Sequence, residues 1–327
     1  MQIWDTTEAG GKWDLGAQHG SGGLWNNSPG TAGKDPLVHA DRPFGEWNHV
    51  RVLMVGARVS VWWNGRVVVD HAILENFFDR SLPVPARGPI QLQTHGGEIA
   101  WRRIHVREIE SEEACRILER ALLESGDDPW HTIFDGETLA GWRGATDGYV
   151  ARAGVIECRE GSGGVLFHER TLTDFEASLR FRLPPGGNNG LAIRYPGSGD
   201  PAYSGMCELQ VLDTEHERYA QIDPRQAHGS VYGRVAAHRG FLREPGEWNH
   251  QHVRVLGSTI EVELNGTPIL RTDLATIPDG LAPLERYAGR DRRSGHFGFA
   301  GHGDAVAFRD LFIRELRDGT AEGVDPR

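Results

Sequence analysis

Five residues occur twice in this chain, as Gly45-Glu46-Trp47-Asn48-His49 and as Gly246-Glu247-Trp248-Asn249-His250. An Asn-Gly pair follows each at the same interval, Trp47 to Asn64 and Trp248 to Asn265. Further along, 88–109 aligns without a gap to 295–316, keeping His95/His302, Arg102/Arg309 and Arg107-Glu108/Arg314-Glu315. Three separated blocks in one order indicate a duplicated domain, and two units are too few for a solenoid. A third echo opens the chain, where Gln2-Ile3-Trp4-Asp5-Thr6 reads against Gln210-Val211-Leu212-Asp213-Thr214. Residues 132–212 precede Asp213, but only residues 1–4 precede Asp5. The first unit is therefore expected to lack its leading strands, with the start codon misplaced or the chain a piece of a longer protein. Apolar edges would be left open in it.

The local pattern is that of strands. Val50–Val55 and 58–63 alternate apolar and polar residues, and Asn64-Gly65 joins 58–63 to 66–69. An apolar run, Asn-Gly and another apolar run is a strong hairpin signal, because both turn positions tolerate φ > 0. Ile90–Gln93, Ile99–Val106 and the opening Met1–Trp4 read as further strands. In the second unit short runs recur at 149–151, 155–158, 164–167, 175–181, 190–195, 206–212, 253–256, 259–264, 298–300 and 306–315. Such spacing describes an all-β sandwich and not a parallel α/β sheet. Only 111–125 changes character, with Ala114, Ile117, Leu118, Ala121 and Leu122 at helical spacing and Gly126 as the stop. The expected organisation is a partial sandwich over 1–110, a linker helix in 111–130, a complete sandwich over 131–318 and a tail, 319–327.

Composition narrows the function classes. A net charge of -11 over 327 residues argues against nucleic acid. No run approaches the ~18 apolar residues of a membrane span. Cys115, Cys158 and Cys207 are too few and too scattered for a disulfide or zinc framework. No cofactor is identified, and the histidines lack metal-ligand spacing. Carboxylate ligands for a divalent cation can be scattered in sequence, so that point stays open. So does the oligomeric state. No signal-peptide pattern opens the chain.

The stretch with most chemistry is Glu208-Leu209-Gln210-Val211-Leu212-Asp213. On a regular strand Glu208 and Gln210 share a face and Asp213 points away, unless a bulge realigns it. Around it stand Asn188-Asn189-Gly190-Leu191-Ala192-Ile193-Arg194, His228-Gly229-Ser230-Val231-Tyr232 and Phe308-Arg309-Asp310-Leu311. Upstream stands Ile133-Phe134-Asp135-Gly136 with Leu139 and Gly141-Trp142. With these motifs the chain resembles the 3-keto-disaccharide hydrolase domain family. The resemblance implies concanavalin A-like jelly-roll sandwiches in tandem, the first N-terminally incomplete, joined by a short helix. It also implies an enzyme acting on small carbohydrates oxidised at C3. The full-length parent is expected in the periplasm or secreted.

A ketone at C3 acidifies the C2 proton, so a modest base can form an enolate and the group at C1 can leave. Water then adds. The chemistry needs a base near neutral pKa, a donor to the enolate oxygen and an acid for the leaving group. His228 suits the base, Arg194 or Tyr232 the enolate donor, and Glu208 or Asp213 the acid. Asn189, Gln210 and Tyr232 are the expected substrate contacts. His95 and His302, present in both units, read as turn residues, and Trp47 and Trp248 as core anchors. The first unit has Ser21 in place of His228 and Trp25 in place of Tyr232. Two other readings remain. Glu208-x-Gln-x-x-Asp213 is similar to the Glu-x-Asp-x-x-Glu signature of laminarinase-like retaining glucanases, though with an amide in the middle. A carbohydrate-binding module without catalysis is the other.

Overall fold

The computed structural model describes residues 1–7, 12–95, 97–278 and 280–316; the expected tail 319–327 lies outside the described residues. In the first unit β1 (Val50–Val55), β2 (Arg58–Trp63) and β3 (Arg66–Ile73) form an antiparallel meander. Helix α1 (Ser111–Leu123) follows. The second unit begins with β4 (His131–Thr132), β5 (Trp142–Gly144), β6 (Tyr149–Arg152), β7 (Val155–Cys158) and β8 (Gly164–His168). It continues with β9 (Phe175–Arg182), β10 (Asn188–Tyr195), β11 (Cys207–Leu212), β12 (Trp248–Leu256) and β13 (Thr259–Leu264). The last strands are β14 (Thr267–Asp273), β15 (His296–Gly301) and β16 (Ala307–Glu315).

These make two antiparallel sheets, β11-β10-β15-β8-β5 and β14-β13-β12-β9-β16-β7-β6, with β4 added beside β16. One core joins them, with Leu191, Leu209 and Phe299 of the first sheet packing among Leu179, Phe181 and Val253 of the second. Alternation explains the rest. On β9, Phe175, Ala177, Leu179 and Phe181 face the core, so Glu176, Ser178 and Arg180 face outward. Helix α1 covers part of that outer face, where Arg180 meets Glu119 and Glu112 at 2.9–3.0 Å and Asp310 at 3.2 Å. Among the described residues no helix is long and apolar enough to cross a membrane.

The sequence repeat is also a repeat of hydrogen bonds. Asn265 sits in the left-handed region (φ 51°), accepts from the His250 N–H at 3.0 Å, and donates to the Phe241 carbonyl and to Asn249 Oδ1. Asn64 (φ 51°) does the same with His49, Ala40 and Asn48. The shared pentapeptide is thus one half of a clasp that ties a loop to the hairpin turn. Its tryptophans are not core anchors, which corrects the expectation. Trp47 is 44% exposed. Each tryptophan carries a guanidinium on its face, Arg102 at 3.9 Å from Trp47 and Arg309 at 4.1 Å from Trp248.

The first unit departs from expectation: Ile90–Gln93 and Ile99–Val106 form no strands. Their counterparts are β15 and β16, which pair with β10, β8, β9, β7 and β4, and the described residues hold no equivalents of those in the first unit. A strand without a neighbour leaves its backbone groups unpaired and is not held. Ile90, Leu92, Ile104 and Val106 are accordingly exposed, while the matching Phe297, Phe299, Leu311 and Ile313 are buried. Met1–Trp4 is not a regular strand, but Gln2 exchanges two backbone bonds with Gly22 and Gly23, both 2.8 Å. The two units meet where the β1–β2 turn abuts Gly266. The Ala57 N–H donates to the Gly266 carbonyl at 3.1 Å, and Arg58 pairs with Glu263 at 2.6 Å. A Cβ on Gly266 would lie 2.3 Å from the Val55 carbonyl oxygen, so only glycine fits this approach.

Candidate active site

Strand register assembles a polar group on the outer face of the five-stranded sheet. Glu208 lies opposite Ala192, and Gln210 opposite Gly190. Ala192 in turn lies opposite Gly298. Intervening Leu191, Leu209 and Val211 point into the core, so these five residues share the other face. The floor is made of small residues for a reason. A Cβ on Gly190 would fall 2.1 Å from Glu208 Oε1, so the carboxylate lies across the β10 backbone where only glycine leaves room. Residues 229–232 run along the free edge of β11, where the Tyr232 N–H donates to the Glu208 carbonyl at 2.9 Å and Leu209 bridges to Val231. That pairing puts Tyr232 beside Glu208. The Tyr232 hydroxyl accepts from Gln226 Nε2 at 3.0 Å, which leaves its own proton free to donate.

Glu208 is 5% exposed. Its nearest charge partner is His302, with Nε2 3.9 Å from Oε1. Burial pushes the Glu208 carboxyl above the usual carboxylate range. Contact with that carboxylate raises the half-exposed His302 imidazole in turn, against some desolvation. Both groups are thus displaced upward, Glu208 by desolvation and His302 by the carboxylate beside it. Beside them Gln210 Nε2 donates to Asn188 Oδ1 at 2.7 Å, which fixes its amide in the same surface.

Four expected site residues are placed elsewhere. Arg194, at φ 47°, lies within the bulge between Ala192 and Tyr195, which turns it off the Glu208 face. It is 1% exposed, and its guanidinium is spent on Asp174 and the carbonyls of Thr173, Gly257 and Arg292, at 2.7–3.1 Å. Asp213 comes after a regular β11 with no bulge, so it points away from Glu208, and its Oδ2 accepts from the Gly186 N–H at 2.8 Å. The two carboxylates do not flank a common space, which removes the basis of the retaining-glucanase reading. Asn189 is fully buried on the core face opposite Val211.

His228 is also structural by its contacts. It stacks on Phe181 with ring centres 5.0 Å apart, and Nδ1 accepts from the Leu212 N–H at 3.3 Å. In the first unit Ser21 Oγ takes the matching Trp4 N–H at 3.0 Å. A serine can fill this place because the place asks only for an acceptor. Burial lowers His228 to about 3, as it does His250 to about 3 and His252 to about 4. These groups stay neutral in the fold but take protons near pH 6.5 when unfolded. Their contribution to stability is complete above pH 6.5 and is lost as pH falls toward 3–4. Glu208 and Glu119, raised by burial, act in the opposite sense. Denaturant melts should show stability falling by about 1 kcal/mol per pH unit and histidine below pH 6.5. A flat profile between pH 7 and 5 would contradict this.

His302 is the site residue that sequence reasoning passed over. Its presence in both units suggested a turn. Yet Gly298, Ala300 and His302 alternate onto the Glu208 face, and that spacing was readable. His95 has no partner of this kind, because the first unit has no counterpart of Glu208 among the described residues.

The sandwich fold is shared with known proteins. Residues 1–107 and 129–314 match the model of a family described as a 3-keto-alpha-glucoside-1,2-lyase-like domain. The chain is 27% identical over 229 residues to a 3-keto-disaccharide hydrolase of Bacteroides thetaiotaomicron, a match covering 58% of this chain and 79% of the relative. A crystal structure of a candidate glycosyl hydrolase from Parabacteroides distasonis superposes with TM-score 0.52 at 24% identity, covering 58% of this chain and 100% of that one. A second from the same organism gives 0.49 at 20% identity, with 57% and 94% covered.

Proposed function

Because the chain belongs to the 3-keto-alpha-glucoside-1,2-lyase-like domain family, we propose that its second unit is an enzyme that cleaves glycosides carrying a ketone at C3. The observation that carries this reading is the Glu208–His302 pair beside Tyr232 on the outer face of the five-stranded sheet. His302 Nε2 takes the C2 proton, the C2–H electrons form the C2=C3 enolate, and collapse of that enolate forms the C1=C2 bond as the C1–O bond breaks. Tyr232 donates to the C3 oxygen while it carries enolate charge. The leaving oxygen takes its proton from Glu208, whose buried carboxyl holds one more readily than a surface carboxylate. Water then adds at C1, returning a proton to Glu208, and C2 recovers one from His302. Net hydrolysis results and both groups are restored. Carboxylate-pair hydrolysis has no such support here, since Asp213 is engaged with Gly186.

A direct test is to offer the protein a 3-keto-glucoside and the parent glucoside. Only the keto sugar should be cleaved, because the parent C2 proton is not acidic enough for an imidazole. Comparable cleavage of both would refute the reading, and sugar binding without turnover would leave a binding module.

A further inference from the structure

We propose that the elimination is syn, so that the chain cleaves 3-keto-glucosides of β configuration in preference to their α anomers. This rests on the reaction proposed above and adds the stereochemistry of its substrate. Both reacting side chains stand on one face of one sheet. Glu208 rises from β11, and His302 follows β15 in line with Gly298 and Ala300. Between these strands runs β10, where Gly190 has no side chain and the Glu208 carboxylate lies across the backbone. Beneath them Leu191, Leu209 and Phe299 fill the core, so a sugar meets the pair only from the solvent side.

The spacing decides which face of the ring the pair can serve. His302 Nε2 and Glu208 Oε1 are 3.9 Å apart. A pyranose ring held between two groups needs contact distances of about 3.5–4 Å on each side, about 7–8 Å in all. The pair is too close to grip a ring from opposite faces, so both groups act on one. In a D-glucoside chair the C2 hydrogen points to the β face. The β anomer carries its C1 oxygen on that same face, and the α anomer on the other. His302 can therefore take the C2 proton of either anomer and form the C2=C3 enolate. Only in the β anomer does the departing oxygen stand where the Glu208 carboxyl can protonate it, as C1=C2 forms and the C1–O bond breaks. The α anomer reaches the enolate but would have to expel an unprotonated alkoxide, and it returns to the starting sugar. The family's description names an α-glucoside; the geometry of this chain points to the other anomer.

Methyl 3-keto-β-D-glucopyranoside and its α anomer, offered separately to the full chain in deuterated water, test this. Methanol is a poor leaving group, so its departure depends on the acid. We expect kcat/KM for cleavage of the β anomer to exceed that of the α anomer by about 10²–10⁴-fold, the worth of a positioned proton donor. The uncleaved α anomer should nevertheless gain deuterium at C2 faster than in enzyme-free buffer. With Glu208→Gln, or with 4-nitrophenol as a leaving group that needs no acid, the preference should shrink to within a few-fold. Equal or faster cleavage of the methyl α anomer would overturn the inference while leaving the keto-sugar reaction in place. So would an α anomer that neither exchanges nor reacts while the β anomer is cleaved, which would put the selectivity in binding. If neither anomer exchanges or is cleaved, the reaction itself is refuted and the inference falls with it.

Discussion

Replacing Glu208 with Gln should lower kcat/KM for a 3-keto-glucoside by about 10²–10⁴-fold, the usual worth of a positioned proton donor. Glutamine has nearly the shape of glutamate, so it can lie across Gly190 as the carboxylate does. It cannot pass a proton to the leaving oxygen. Thermal unfolding should change little, because the substitution removes a buried acid without opening a cavity. Activity within a few-fold of the parent, or loss of activity matched by loss of folded protein, would remove Glu208 from the chemistry.

Arg194→Met should do the reverse: cost stability and spare the reaction. The guanidinium is buried and ties β10 to Thr173, Asp174, Gly257 and Arg292. Its removal leaves the Asp174 carboxylate without a countercharge and three carbonyls short of a donor. Breaking one side of a buried pair costs about 3–5 kcal/mol. Denaturant melts should show that loss, while kcat/KM per folded molecule stays within a few-fold. An enzyme of undiminished stability and greatly reduced kcat would instead make Arg194 a catalytic group.

Legibility followed locality. Strands of the second unit could be read because each carries alternation in its own residues, and β7, β13 and α1 begin where their patterns begin. Ile90–Gln93 and Ile99–Val106 carry the same alternation and form nothing, because a strand depends on neighbours that sequence does not display. Within the site, Glu208 and Gln210 were readable from period two. Arg194 was not, since its own left-handed backbone within a bulge reverses its direction. His228 looked chemical by residue type, yet Ser21 in the matching place shows what that place requires. His302 was hidden by the repeat itself: its twin suggested a shared role, whereas its partner Glu208 belongs to one unit alone.

If cleavage proceeds through removal of the C2 proton, the reaction in deuterated water records that step in the product. The half-exposed His302 exchanges its proton with solvent, so the released 3-keto sugar should carry deuterium at C2. The Glu208→Gln variant should slow exchange and cleavage together. A product that retains only protium at C2, formed at the full rate, would mean that the C2 proton is never removed.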